Sequence, residues 1–169
     1  MRGRHDSLLK RYLLLPGRLE AAIAGLDEAG LDLRTEGWSI RAYVHHTVEG
    51  ELMWQLFLRA IVGRDGIEIP IQWYLGLDQD EWAERWAYDR RPVEPTLALF
   101  RASTRGLYEL LTRIEPQVWE HAGRVTWPGR AEESRYSVRD ILLMHIGHVD
   151  QHCTDIAAIR GRHGMLPTS

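Results

Sequence analysis

The stretch "YSVRDILLMHIGHVDQHCTDI", residues 136–156, decides how the chain is read. Ser137 with Asp140 three positions on resembles a capping box, the local signal that opens a helix. Behind it Ile141, His145, His148, His152, Ile156 and Ile159 recur at spacings of three and four, so they share one stripe of an α-helix. That stripe faces a core. Each buried imidazole needs partners for both ring nitrogens, and three of them stacked along an apolar face are costly unless something satisfies them together. A divalent metal ion does so, and His148 and His152 have the i, i+4 spacing that lets two imidazoles of one helix reach one ion.

Three further stretches carry helical periodicity. Residues 5 to 29 place Leu8, Leu9, Tyr12, Leu15, Leu19, Ala22, Ile23 and Leu26 on one side, with Pro16 expected to kink or split the helix. Residues 40 to 62 follow the N-cap candidate Ser39 and stop at Gly63. A third helix follows Pro92 or Pro95 and ends by Pro116, and the one quoted above runs to Gly161 or Gly164. Between the second and third lies a long connection rich in Trp, Tyr and Asp. Within it, "DQDEWAERWAY" fits a short helix capped by Asp78 or Asp80. "WPGR" marks a turn, and residues 124–136 have room for a short hairpin. Four amphipathic helices and one long crossover predict an all-α four-helix bundle, a single domain over residues 1–169.

Composition narrows the function. With 21 Lys and Arg against 24 Asp and Glu, the net charge of -3 comes without a basic run, which argues against nucleic acid and for a small-molecule substrate. No apolar run reaches the roughly 20 residues that cross a bilayer, so no membrane is expected. The one cysteine, Cys153, and the lack of a signal-peptide pattern point to the cytoplasm. Histidine, at eight residues, is over-represented and is the residue type to follow.

Two ligands do not hold a metal tightly, so a third should come from a facing helix. The second helix offers His45 and His46. His46 shares its face with Tyr43, Gly50, Met53 and Phe57, whereas His45 lines up with Arg41 and Glu49 and is expected to face water. The metal set read from facing is therefore His46, His148 and His152, three neutral imidazoles that leave a coordination position open. Glu51 and Asp150 are second-shell candidates, and His145 is either second shell or structural. Cys153, adjacent to His152 and so on another face, reads as a structural thiol, and His5, His121 and His163 read as exposed. The tryptophans read as packing groups, Trp38 at the start of the second helix and Trp54 in the core, with Trp73, Trp82, Trp86 and Trp127 in connections. Arg90 and Arg91 could meet an anion, but solvated loop charges are the simpler reading.

"GWSIRAYVHH", with Glu51 five residues after His46, and the quoted C-terminal segment together resemble the two signature segments of the DinB/YfiT-like superfamily of four-helix-bundle metalloproteins. Carried over position by position, the resemblance implies His46, His148 and His152 as ligands. It implies a divalent transition metal (Zn, Ni or Fe), a low-molecular-weight thiol as cosubstrate in members that act as S-transferases or as a maleylpyruvate isomerase, and a homodimer. On this reading the chain is a metal-dependent thiol S-transferase, with a metal-dependent hydrolase or a non-catalytic ligand-binding dimer as the alternatives. One departure stands out: many relatives have HRGQI where this chain has "HCTDI", so Thr154 and Asp155 replace other side chains.

Overall fold

The structure is a computed structural model that describes residues 5–127, 129 and 133–165. Four helical struts form the bundle. The first is broken into α1 (Asp6–Leu13) and α2 (Leu15–Ile23), and the short α3 (Glu28–Leu31) follows. The single helix expected over residues 5 to 29 is thus three pieces. Pro16 has no N–H to donate and stands in the first turn of α2, so the chain breaks just before it. Gly25, at φ +77, turns the chain beyond α2 in a conformation that favours glycine.

The second strut is α4 (Ile40–Gly63), opened by the Ser39 hydroxyl accepting from the Ala42 N–H. The crossover then runs through the short α5 (Gln72–Leu75), α6 (Gln79–Arg85) and a 3-10 turn at Tyr88–Arg90. Asp78 caps α6 by accepting from the amides of Asp80 and Glu81. The third strut, α7 (Val93–Leu111), stops short of Pro116. Glu115 is extended, as a residue before proline must be, and a 3-10 helix takes Pro116–Glu120. The fourth strut is α8 (Val138–Arg162), whose reciprocal Ser137 and Asp140 capping box is formed in full.

The broken strut and α4 each pack against both α7 and α8. The four struts therefore form a closed ring around one core, in which Leu15, Leu19, Ile40, Leu58, Phe100, Leu107, Ile141 and Ile156 have no exposure. A small antiparallel hairpin, β1 (Ala122–Thr126) with β2 (Glu133–Ser137), pairs Ala122 with Ser137 and Thr126 with Glu133. Part of the turn expected at "WPGR", like residues 1–4, lies outside the described residues. The hairpin holds the crossover. Ile69 donates its N–H to the Arg124 carbonyl and Arg124 donates to that of Ile67, both at 2.8 Å. Gly123 permits the approach, since a Cβ there would meet Ile69 Cδ1 at 2.4 Å. Among the described residues no helix is long and apolar enough to cross a membrane.

Because the hydroxyl of Ser137 satisfies the Asp140 amide and orders the start of the helix that carries three histidines, Ser137→Ala should cost about 1 kcal/mol of stability. A urea denaturation series on the two proteins checks this, with the midpoint expected to fall at unchanged slope.

Candidate metal centre

Two helices build the centre. His148 and His152 stand one turn apart on α8, and α4 lies alongside and presents His46. One ring nitrogen of each lies within 4.8 Å of the others, and the Nε2 atoms of His148 and His152 are 3.0 Å apart. All three rings are half-buried and so reachable from solvent. Gly50 makes the close approach of the helices possible: a Cβ at that position would sit 3.1 Å from His148 Cε1 and 3.7 Å from the Tyr74 hydroxyl. Trp38 packs on His46 with ring centres 4.6 Å apart, and Tyr43 covers His152 at 5.4 Å.

The arrangement fits a cation. His152 Nδ1 lies 3.0 Å from the Asp155 carboxylate, which only accepts, so Nδ1 carries the proton and Nε2 directs a lone pair toward His148. His148 Nδ1 is buried with no partner among the described residues. Burial, reinforced by repulsion from His148 and His152, lowers His46 to about 3. Burial and the repulsion of His152 and His145 lower His148 to about 4 against the opposing pull of Glu51. His152 is lowered by burial too, with Asp155 working the other way. Neutral imidazoles with available lone pairs are what a divalent transition metal requires.

Among the carboxylates near this stretch, Asp155 is the one that meets His152. Asp150 pairs with Arg18 of α2, on another side of α8. Helical geometry explains the correction: a residue two positions from both His148 and His152 points away from them, whereas one three positions beyond His152 returns to its face. The i, i+3 spacing of His152 and Asp155 could have revealed this contact.

Glu51 and His145 occupy the layer beneath. Glu51 Oε1 accepts from the Tyr12 hydroxyl at 2.7 Å and faces His145 Nδ1 at 2.9 Å, with the Gln55 amide also nearby. Burial pushes the Glu51 carboxyl up, but the His145 imidazole and the hydrogen bonds of His145, Tyr12 and Gln55 outweigh it and hold Glu51 below its ordinary value. Both residues act on His148 electrostatically. Neither makes a hydrogen bond to the three clustered histidines among the described contacts.

His45 corrects a second expectation. It does not face water but is fully buried, with Nδ1 2.9 Å from the Thr96 hydroxyl and Nε2 3.2 Å from the Arg91 carbonyl. The crossover and the start of α7 cover the side of α4 that the periodicity left to solvent. Burial lowers His45 to about 4. His5 stacks on Trp119 and His121 is half-buried with Nδ1 3.2 Å from the Ile61 carbonyl, so of the three histidines expected at the surface only His163 is exposed. Cys153 is half-buried, its thiol pushed up by burial. Of the tryptophans, Trp54 is half-buried against the core, Trp86 stacks on Trp82 with ring centres 4.4 Å apart although part of it is exposed, and Trp73 is the most exposed of the set. Arg91 is bound to Glu49.

A profile of the DinB superfamily matches residues 12–156. A Bacillus licheniformis protein whose designation as a metal-dependent hydrolase is provisional is 29% identical over 156 residues, spanning 88% of this chain and 81% of that protein. In structure the chain is similar to YfiT from Bacillus subtilis, described as a probable metal-dependent hydrolase with an unusual four-helix bundle topology. The TM-score is 0.81 at 19% identity, covering 97% of this chain and 90% of that one. It is also similar to a mycothiol-dependent maleylpyruvate isomerase, with a TM-score of 0.65 at 14% identity, covering 89% of this chain and 60% of that one.

His45, His46 and His148 have folded-state values below the ordinary 6.5, so their neutral forms contribute stability that is complete above that value. The contribution is lost as pH falls from 6.5 toward their folded values. The urea midpoint of metal-free protein should therefore be flat on the alkaline side and drop through this window. His46→Ala should show a shallower drop than the wild type over the same pH range.

Proposed function

The chain belongs to the DinB superfamily, and on that premise we propose that it is a metal-dependent enzyme whose His46, His148 and His152 hold one divalent transition-metal ion. The observation that carries this reading is the convergence of three neutral ring nitrogens within 4.8 Å at a half-buried site. Zinc, nickel and iron all suit an all-imidazole donor set. When bound, such an ion supplies Lewis acidity that lowers the pKa of a water or thiol at its open position.

The protein groups have separable tasks. Asp155 holds the proton on His152 Nδ1 and so keeps Nε2 as the donor atom. Trp38 and Tyr43 pack on the rings of His46 and His152 and would limit the water that reaches them. The Tyr74 hydroxyl, beside Gly50 and the His148 ring, is placed to hydrogen-bond a substrate atom. Hydrolysis is the first reading, supported by the provisional hydrolase designation of the Bacillus licheniformis relative. Thiol transfer is the second. It is favoured by the fold shared with a mycothiol-dependent enzyme. A homodimer belongs to the same reading, and Leu56 and Trp73, 65% and 53% exposed, are apolar groups that a partner could cover.

His148→Ala and His152→Ala should fold, bind less than a tenth of the metal that the wild type holds, and lose activity in step. Elemental analysis of untagged protein, with circular dichroism as the folding control, checks the first part. Hydrolysis of ester and amide substrates without thiol, compared with turnover of electrophiles only when thiol is added, separates the two chemistries. Full metal content in either variant would remove the proposed ligand set.

A further inference from the structure

Beside the three clustered histidines, polar atoms of two helices are buried with no hydrogen-bond partner among the described residues: Glu51 Oε2 on α4, and His145 Nε2 and His148 Nδ1 on α8. Such atoms are rare in folded proteins, because each gives up its hydration and regains nothing. Their residues are neighbours. The His148 ring packs on Gly50, with Cε1 3.1 Å and Nδ1 3.8 Å from the position a Cβ would take, and Gly50 precedes Glu51 in the chain. His145 lies one turn before His148 on the same stripe of α8, and its Nδ1 faces Glu51 Oε1 at 2.9 Å. His148 is within electrostatic reach of both.

A count of protons gives each atom a role. Glu51 is held below its ordinary value, so it is a carboxylate and only accepts. Its Oε1 takes the Tyr12 hydroxyl and faces His145 Nδ1, which therefore carries a proton and leaves a lone pair on Nε2 of the neutral ring. His148 turns Nε2 toward His152 Nε2 at 3.0 Å. Nε2 is thus the atom His148 offers to a metal, and a ring that coordinates through Nε2 keeps its proton on Nδ1. The layer then holds one donor without a partner, His148 Nδ1, and two acceptors without one, Glu51 Oε2 and His145 Nε2. No direct hydrogen bond joins Glu51 Oε2 to His148 Nδ1. A water molecule, which accepts from one group and donates to others, has the complementary hydrogen-bonding capacity.

We propose that Glu51 is the positioning residue of His148. Its Oε2 accepts from His148 Nδ1 through one buried water molecule and so keeps Nε2 directed at the metal, as Asp155 does directly for His152. This rests on the metal-centre reading above and adds to it the means by which His148 is oriented.

Zinc affinity, measured by competition with a chromophoric chelator, and a crystal structure of the zinc-loaded wild type together test the proposal. Glu51→Gln is the informative variant. Its amide oxygen can keep the two donors at Oε1, Tyr12 and His145, so its NH2 group falls where Oε2 stood and a donor replaces an acceptor. Zinc binding by this variant should weaken about ten- to a hundredfold. Tyr12→Phe removes a hydrogen bond from the same carboxylate but leaves Oε2 untouched, so it should lower the urea midpoint and keep the zinc affinity of the wild type. The crystal structure should show a water within hydrogen-bond distance of both Glu51 Oε2 and His148 Nδ1. Unchanged zinc affinity in Glu51→Gln, or an equal loss in Tyr12→Phe, would overturn the proposal. So would a crystal structure without that water, which decides the matter even if Glu51→Gln does not fold. Wild-type protein that takes up no zinc would instead remove the metal-centre reading itself.

Discussion

A single carboxylate at the middle of the bundle sets the register of three struts. Glu51, fully buried on α4, accepts from Tyr12 of α1 and meets His145 of α8. A buried charge without partners is far too costly to persist, and breaking a buried pair by removing one partner typically costs about 3 to 5 kcal/mol. The three helices can therefore slide or rotate little without losing the contacts that make the charge tolerable. Burial and the neighbouring Glu51 charge hold the Tyr12 hydroxyl above its ordinary value, which favours the donor role it has toward Glu51. Gln55 donates to that hydroxyl in turn.

This polar layer lies directly beneath the histidines. His145 is one turn before His148 on α8, and Glu51 is adjacent in sequence to Gly50, the residue against which the His148 ring packs. Fixing α4 against α8 at Glu51 and His145 thus fixes the approach of His46 to His148 and His152 one layer above. The apolar core on either side could accept small shifts of one helix along another. The directional hydrogen bonds of the polar layer cannot, which makes the positional precision of the three clustered histidines a consequence of the layer below them.

Much of the architecture was legible because it is encoded locally. The Ser137 and Asp140 capping box, the Ser39 cap, the Asp78 cap and the break at Pro16 depend on residues within four positions of one another, and each is formed as the pattern implied. Helical spacing also put His148 and His152 on one stripe. His45 was left to solvent because periodicity identifies a helix's most apolar face, while α4 is covered on its other side as well by the crossover and α7. Asp150, offered with Glu51 as a second-shell group, is led by its direction on the helix to Arg18.

The sequence by itself determined the helices, their caps and breaks, the bundle and the stripe of imidazoles on α8, since all of these follow from spacing along one chain. Helical facing also pointed to His46, but only the tertiary structure decided that His45 binds Thr96 and the Arg91 carbonyl. The same holds for the choice of Tyr12 and Gln55 to stabilise Glu51, and for the placing of Trp38 against the His46 ring. The physical reason is that these contacts join residues dozens of positions apart. Their geometry depends on how whole helices rotate against one another, a quantity that no local pattern records.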